Sequence, residues 1–403
     1  MSVVGHRETP EVGCIRALRQ LRDPLVLFVA PVTFAVLTVG LGYLHSWPVG
    51  FDFRGTLWEP AHALLEGAAM YPEPTRQAVL IGNPSVYPPF FILVSVPLAL
   101  VPVSVAAWTW FALLAVCVLA AMWVLDVRDW RCHVLALTSP VVVHGLFYGN
   151  LTVALVLLVA LGWRYRDRAP VAGVAIGAAI AAKLFLWPLV LWLLLTRRVR
   201  AAAWAAWVAA TLVFGAWTLI GFQGLLEYPA LLREVQEVYA LRGVSLASVA
   251  GSLGAPSSLA AAVAWIAGVG LIALAALRFR GDERRALALI VGACIVASPI
   301  VWPNYLALLL IPIAITWPRL SPVWLFGYLV WLVKIVVPEP TTLAGCCAPP
   351  GIDDQAWAAM HAGSPGLYAA GSIAVVLVVA LLVARARPGA GTSRAAAGAQ
   401  RLT

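Results

Sequence analysis

Pro24-Leu25-Val26-Leu27-Phe28-Val29-Ala30-Pro31-Val32-Thr33-Phe34-Ala35-Val36-Leu37-Thr38-Val39-Gly40-Leu41-Gly42-Tyr43-Leu44-His45-Ser46 decides the fold class. The run holds no Asp, Glu, Lys or Arg. At about 1.5 Å per residue it is long enough to cross a hydrocarbon core of about 30 Å. Arg7, Arg16, Arg19 and Arg22 precede it. It is too long for a signal-peptide core, and no small-residue cleavage site follows. It therefore reads as an uncleaved signal anchor with a cytoplasmic N-terminus.

Composition agrees. The 403 residues are 62% hydrophobic and 11% charged, against about half and a quarter in soluble chains. So few charges do not cover a water-facing globule of this size, whereas lipid solvates the apolar excess. The net charge of +9 does not point to nucleic acid, because the basic residues are confined to short loops between apolar runs. They fall at Arg128 and Arg131, Arg164 to Arg168, Arg197 to Arg200, Arg278 to Arg285, Arg319, and the tail from Arg385 to Arg401. That is the positive-inside pattern. The segments left outside carry only Arg54, Arg76, Arg233 and Arg242 as basic residues, and are otherwise acidic.

These clusters set the parity of crossings. The expected architecture is all-α, a polytopic bundle of about 12 spans at 24–46, 104–126, 132–148, 151–163, 170–182, 184–196, 201–222, 258–278, 286–300, 303–317, 320–337 and 365–384. A cytoplasmic segment 1–23 precedes a transmembrane domain 24–386, and a disordered cytoplasmic tail 387–403 follows. Residues 88–102, interrupted by Pro97 and Pro102, read as re-entrant or half-inserted. Outer loops of about 47–87, 223–257 and 338–364 hold most of the polar mass, which places the chemistry on the extracytoplasmic face of a plasma membrane. The six cysteines show no metal spacing, and no nucleotide-binding glycine loop is present.

In the first outer loop, Asp52 lies just beyond the first span. Pro60 and Gly67 bracket an expected membrane-surface helix at about 60–68. A partly desolvated carboxylate at that boundary is suited to general-base chemistry on an acceptor hydroxyl. It is equally suited to capping a helix or pairing with Arg54. The only two lysines, Lys183 and Lys334, lie in or beside apolar segments, where ionisable groups are functional candidates. Lys183 suits a lipid phosphate, with snorkelling to the interface as the alternative. Arg233 and Arg242 read either as phosphate ligands or as solvated loop charges.

The order of motifs resembles glycosyltransferase family 87. Asp52, the pair Gly67 and Tyr71, and Tyr87-Pro88-Pro89 come first. Ser139-Pro140 and Tyr148-Gly149-Asn150 follow, then Ala182-Lys183-Leu184 with Trp187-Pro188. Ser298-Pro299-Ile300-Val301-Trp302 closes the set. The resemblance covers roughly residues 30–320. It implies a GT-C-like, polyprenyl-phosphate-mannose-dependent mannosyltransferase acting by inversion, with no cofactor and no metal. It makes Asp52 the general base. It places Arg54, Tyr87, Asn150, Lys183, Arg233, Arg242, Trp302 and Asn304 around donor and substrate. The implied partners are a polyprenyl-phosphate-linked sugar, a glycolipid or glycan acceptor, and the bilayer. Two departures stand out: Asn150 occupies the place of a family Gln, and Asn304 that of a His. The missing His leaves open an altered activity or another donor sugar. The rival readings are a secondary transporter and a non-catalytic lipid-carrier-binding protein.

Overall fold

A computed structural model describes residues 28–30, 32–36, 49–81, 84–239, 243–336 and 365–386. Every regular element among them is helical, as the apolar runs predict. Residues 28–30 and 32–36 of the deciding stretch are helical. The rest of that stretch, the predicted loop 338–364, the tail 387–403 and Arg242 lie outside the described residues.

Among the described residues, four helices are long and apolar enough to cross a membrane: Val103–Val124, Val199–Leu219, Ser257–Arg278 and Gly366–Arg385. Pro140–Tyr148 and Thr152–Arg164, bent by 118°, make a fifth if they form one broken span. Their outward faces are apolar, with Ile266 71% and Leu277 82% exposed. Contiguous apolar surface of that extent belongs against lipid. The expected dozen crossings also count shorter helices such as Ala169–Ala182 and Leu184–Leu195, which length and composition alone do not make into spans.

A proline cuts one predicted span, and other expected spans are short or irregular. Pro140 splits 132–148 into Trp130–Thr138 and Pro140–Tyr148, because proline lacks the N–H a helix interior requires. Ala169–Ala182 ends where Lys183 adopts an extended backbone, φ −145° and ψ 108°. A 3₁₀ turn, Leu184–Leu186, then leads to Pro188–Leu195. Pro303–Leu309 is likewise 3₁₀ before Leu310–Thr316. Irregular backbone at such depth persists only where protein surrounds it, and Leu186, Asn304 and Leu309 are buried. The 88–102 segment forms Pro89–Ala99, 11 residues, too short to cross alone. It is held to the first loop by Trp58 Nε1 donating to Val101 O at 3.2 Å.

The first-loop helix starts earlier than Pro60 predicts. Phe51–Phe53, a π-helical turn Arg54–Trp58 and Glu59–Leu65 run on as one helix. The wide turn, closed by Glu59 N–H to Arg54 O, accommodates a proline that would otherwise clash with the carbonyl one turn back. Gly67, at φ +72°, ends the helix as expected.

The arginine clusters meet at one end of the bundle. Glu283 pairs with both Arg166 and Arg198. Arg198 also reaches Asp167 at 2.7 Å, and Arg164 reaches Asp126 at 3.1 Å. Asp129 accepts from Arg131 at 2.8 Å and from Leu320 N at 3.0 Å. Arg131 holds the Asp129 carboxyl down, to about 2. Loops of like sign in the sequence are thus joined by the few acidic residues among them. The helix Thr152–Arg164, 13 residues and about 20 Å long, leads from this cluster to the opposite end.

Candidate active site

Two glycine turns create the opposite end. Gly50, at φ +80°, donates its N–H to Phe147 O at 2.8 Å. Gly149, at φ +72°, closes the helix Pro140–Tyr148. A side chain on Gly149 would come within 2.7 Å of Phe53 Cβ. Trp110 seals the contact, stacking on Phe53 at 5.5 Å and donating Nε1 to Gly149 O at 2.8 Å. The turn at Gly50 and the turn before Thr152 are thereby pressed together. Asp52 and Asn150, each placed just beyond one of these glycines, meet.

Asn150 donates Nδ2 to Asp52 Oδ2 at 2.6 Å. Tyr87 directs its hydroxyl to the same oxygen at 3.4 Å. The Asn150 carbonyl oxygen faces the other way, accepting from Thr152 N at 3.0 Å and from Lys183 Nζ at 3.2 Å. Lys183, only 5% exposed, also reaches Thr152 Oγ1 at 2.8 Å and Tyr305 OH at 3.0 Å. An ammonium has three donors, and three protein oxygens take them. The rings of Tyr305 and Tyr87 lie 4.1 and 5.0 Å from the same nitrogen, within cation–π range. The extended break at Lys183 turns the side chain into this nest.

A carboxylate and an ammonium are therefore bridged by one carboxamide. Direct contact would neutralise both and weaken the carboxylate as a base. The intervening Asn150 orients Asp52 and keeps the cation one residue away. Asp52 itself is half-buried, so it combines partial access with fixed geometry. The arrangement is equipped to take a proton from a hydroxyl and to place positive charge beside a departing anion.

A model of glycosyltransferase family 87 matches residues 86–303, more than half of the chain. The chain belongs to glycosyltransferase family 87. Comparison with curated proteins returns no match. Family membership and the apolar helices make the protein a membrane glycosyltransferase, and thus a protein with a sugar donor and an acceptor. The family match takes in Tyr87, Asn150, Lys183 and Trp302. It starts after Asp52 and Arg54 and stops before Asn304 and Tyr305, a narrower span than the motif resemblance.

Of the residues singled out in the sequence, Asp52, Tyr87, Asn150 and Lys183 converge. Arg54 points elsewhere, exposed and paired with Glu59 at 2.8 Å. Arg233 is exposed on Tyr228–Tyr239. Trp302 lies against Tyr239, ring centroids 5.9 Å apart. Asn304 is buried, with Nδ2 unpartnered among the described residues. A Cβ on Gly145 would sit 3.0 Å from Asn304 Cβ. Lys334 has no described side chain. His62 stacks on Trp58, 4.8 Å between centroids, and His144 on Tyr148, 4.4 Å.

Two members of the nest, Thr152 and Tyr305, escape the sequence reading. Tyr305 adjoins Asn304, and attention to the missing His draws the eye to the wrong neighbour. Thr152 follows Asn150 by two, the spacing at which an Asn carbonyl accepts a backbone N–H in an Asx turn.

Proposed function

We propose that the protein transfers a sugar, mannose by the family resemblance, from a polyprenyl-phosphate donor to a glycolipid or glycan acceptor of the cell envelope. The reaction proceeds by inversion on the extracytoplasmic face. The observation that carries this reading is the Asp52–Asn150–Lys183 bridge, which sets one oriented carboxylate beside one buried cation.

In this mechanism Asp52 takes the proton from an acceptor hydroxyl. The acceptor oxygen forms a bond to the anomeric carbon from the face opposite the phosphate. The carbon–oxygen bond to phosphate breaks, and its electron pair leaves with the polyprenyl phosphate. One base suffices, unlike the paired carboxylates of retaining hydrolases. Lys183 stabilises the leaving phosphate, one phosphate oxygen replacing the Tyr305 hydroxyl as its third acceptor. The unpartnered Asn304 amide supports a polar ligand nearby, because a buried orphan donor costs about 1–3 kcal/mol that a sugar hydroxyl would offset. Positive-inside loops at the ionic end support an outward-facing site.

Radiolabelled polyprenyl-phosphate mannose, offered with mixed membrane acceptors to purified protein, tests the reading. Transfer that Asp52→Asn abolishes is the expected result. Transfer that survives the substitution removes the base. Uptake into proteoliposomes without any transfer favours a carrier instead.

A further inference from the structure

A cleft of about 260 Å³ opens between the first and second outer loops, apart from the Asp52–Lys183 nest. Small-molecule pockets begin near about 300 Å³, so the cleft suits a compact ligand or one unit of a longer one. Leu64, Tyr71 and Glu73 form one wall, and Gln223, Glu227 and Tyr228 line the other. Among the described residues, no Lys, Arg or His lines it. Two exposed carboxylates with no cation beside them among the described residues disfavour a phosphate, so the donor's anionic group is not the occupant that this lining suits. Carboxylates accept and a carboxamide both donates and accepts, the complement of a neutral polyol. Tyr71, Trp217 and Tyr228 pack beneath, with ring centroids 5.4 to 5.6 Å apart, and give the cleft a rigid floor.

The cleft is joined to the reaction centre. Tyr228 donates its hydroxyl to Val86 O at 2.8 Å, and Tyr71 donates to Tyr87 O at 2.7 Å. Both cleft tyrosines therefore brace the short segment whose Tyr87 side chain meets Asp52. Leu64 stands twelve positions after Asp52 on one helical run, which is about 18 Å along its axis. That separation is several sugar rings.

We infer that the cleft is a remote acceptor subsite. It binds a neutral sugar unit of an oligosaccharide acceptor while the reacting hydroxyl, units away, lies at Asp52. Its role in transfer rests on the function proposed above, whereas the binding itself does not. Contacts far from the reacting atoms position the substrate for the chemical step, and the tyrosine braces carry them to the Tyr87 segment.

Saturation-transfer NMR on full-length protein in nanodiscs, with mannotriose, maltotriose and free mannose as probes, reads the binding directly. Glu73→Gln with Glu227→Gln alters only exposed side chains. Wild-type protein is expected to bind a trisaccharide more tightly than mannose. The double variant is expected to raise that Kd about ten-fold, the scale of lost hydrogen bonds to charged groups, and Asp52→Asn is expected to leave it unchanged. No trisaccharide signal, or the same Kd in the double variant, overturns the subsite. So does a Tm raised by calcium in wild type alone without saccharide binding, which would mark a cation site. Trisaccharide binding intact in a protein that transfers no sugar would instead overturn the transfer reading and leave the subsite standing.

Discussion

At the end of the bundle reached by Arg164, Arg166, Arg198 and Arg285, each described carboxylate touches a guanidinium. At the end reached by Lys183, the carboxylate of Asp52 and the ammonium are separated by the Asn150 side chain. The first arrangement quenches charge in a partly wet surface layer, where many pairs share small gains. The second holds its carboxylate and ammonium apart from each other, half-buried and buried, at a cost in desolvation. The contrast separates joints that hold loops together from the arrangement proposed above to act on substrate.

The most severe challenge to that contrast is Asp52→Asn. It preserves shape and removes the proposed base, so kcat for sugar transfer should fall about 10²–10⁴-fold, with Tm in detergent nearly unchanged. Lys183→Met comes next. It keeps the apolar stem but takes the ammonium donor from the Thr152 and Tyr305 hydroxyls and leaves the Asn150 oxygen with Thr152 N alone, and a drop of about 10²-fold in kcat is expected, with some loss of Tm. A Lys183→Met protein that transfers at the wild-type rate would reduce the cation to a structural plug.

Glu283→Gln probes the other end. It breaks two arginine contacts at a partly exposed site, so a loss of about 1–2 kcal/mol and a Tm lower by a few degrees are expected, with kcat unaffected. Should Glu283→Gln silence transfer as thoroughly as Asp52→Asn, the division of labour between the two ends fails.

The sequence makes the ionic end legible because arginine is indifferent to its exact neighbours: its position in short loops between apolar runs carries the signal. The long helices are legible for the same reason, since Ser257–Arg278 and Pro365–Arg385 lie within a residue or so of the expected 258–278 and 365–384. The early start of the first-loop helix is not legible. Pro60 reads as a first-turn residue, and only a π-helical turn lets the helix pass through it. At the site, Asp52 and Lys183 are visible as charges out of place, yet the amide between them depends on Gly50 and Gly149 pressing two distant turns together. Nothing local to Asn150 encodes that contact. Tyr305 and Thr152 fill their roles by three-dimensional position, which a 3₁₀ segment and an Asx turn disguise in a one-dimensional pattern.

Asp129 gives the smallest and most discriminating effect. Its carboxylate caps Trp130–Thr138 through Arg131 N at 3.2 Å and ties in Leu320 N. Asp129→Ala is expected to lower Tm by an amount corresponding to about 1 kcal/mol, the usual value of a lost cap. The pH dependence fixes the cause. The folded carboxyl is held at about 2, below the unfolded value of about 3.9. The stabilisation is therefore present above about pH 4 and lost as pH falls towards 2. The Tm gap between wild type and Asp129→Ala should be constant from pH 7 to pH 5 and narrow below pH 4. A gap that persists undiminished at low pH would show that Asp129 holds its helix through neutral hydrogen bonds alone, and that this end of the bundle does not depend on charge as the contrast with Asp52 requires.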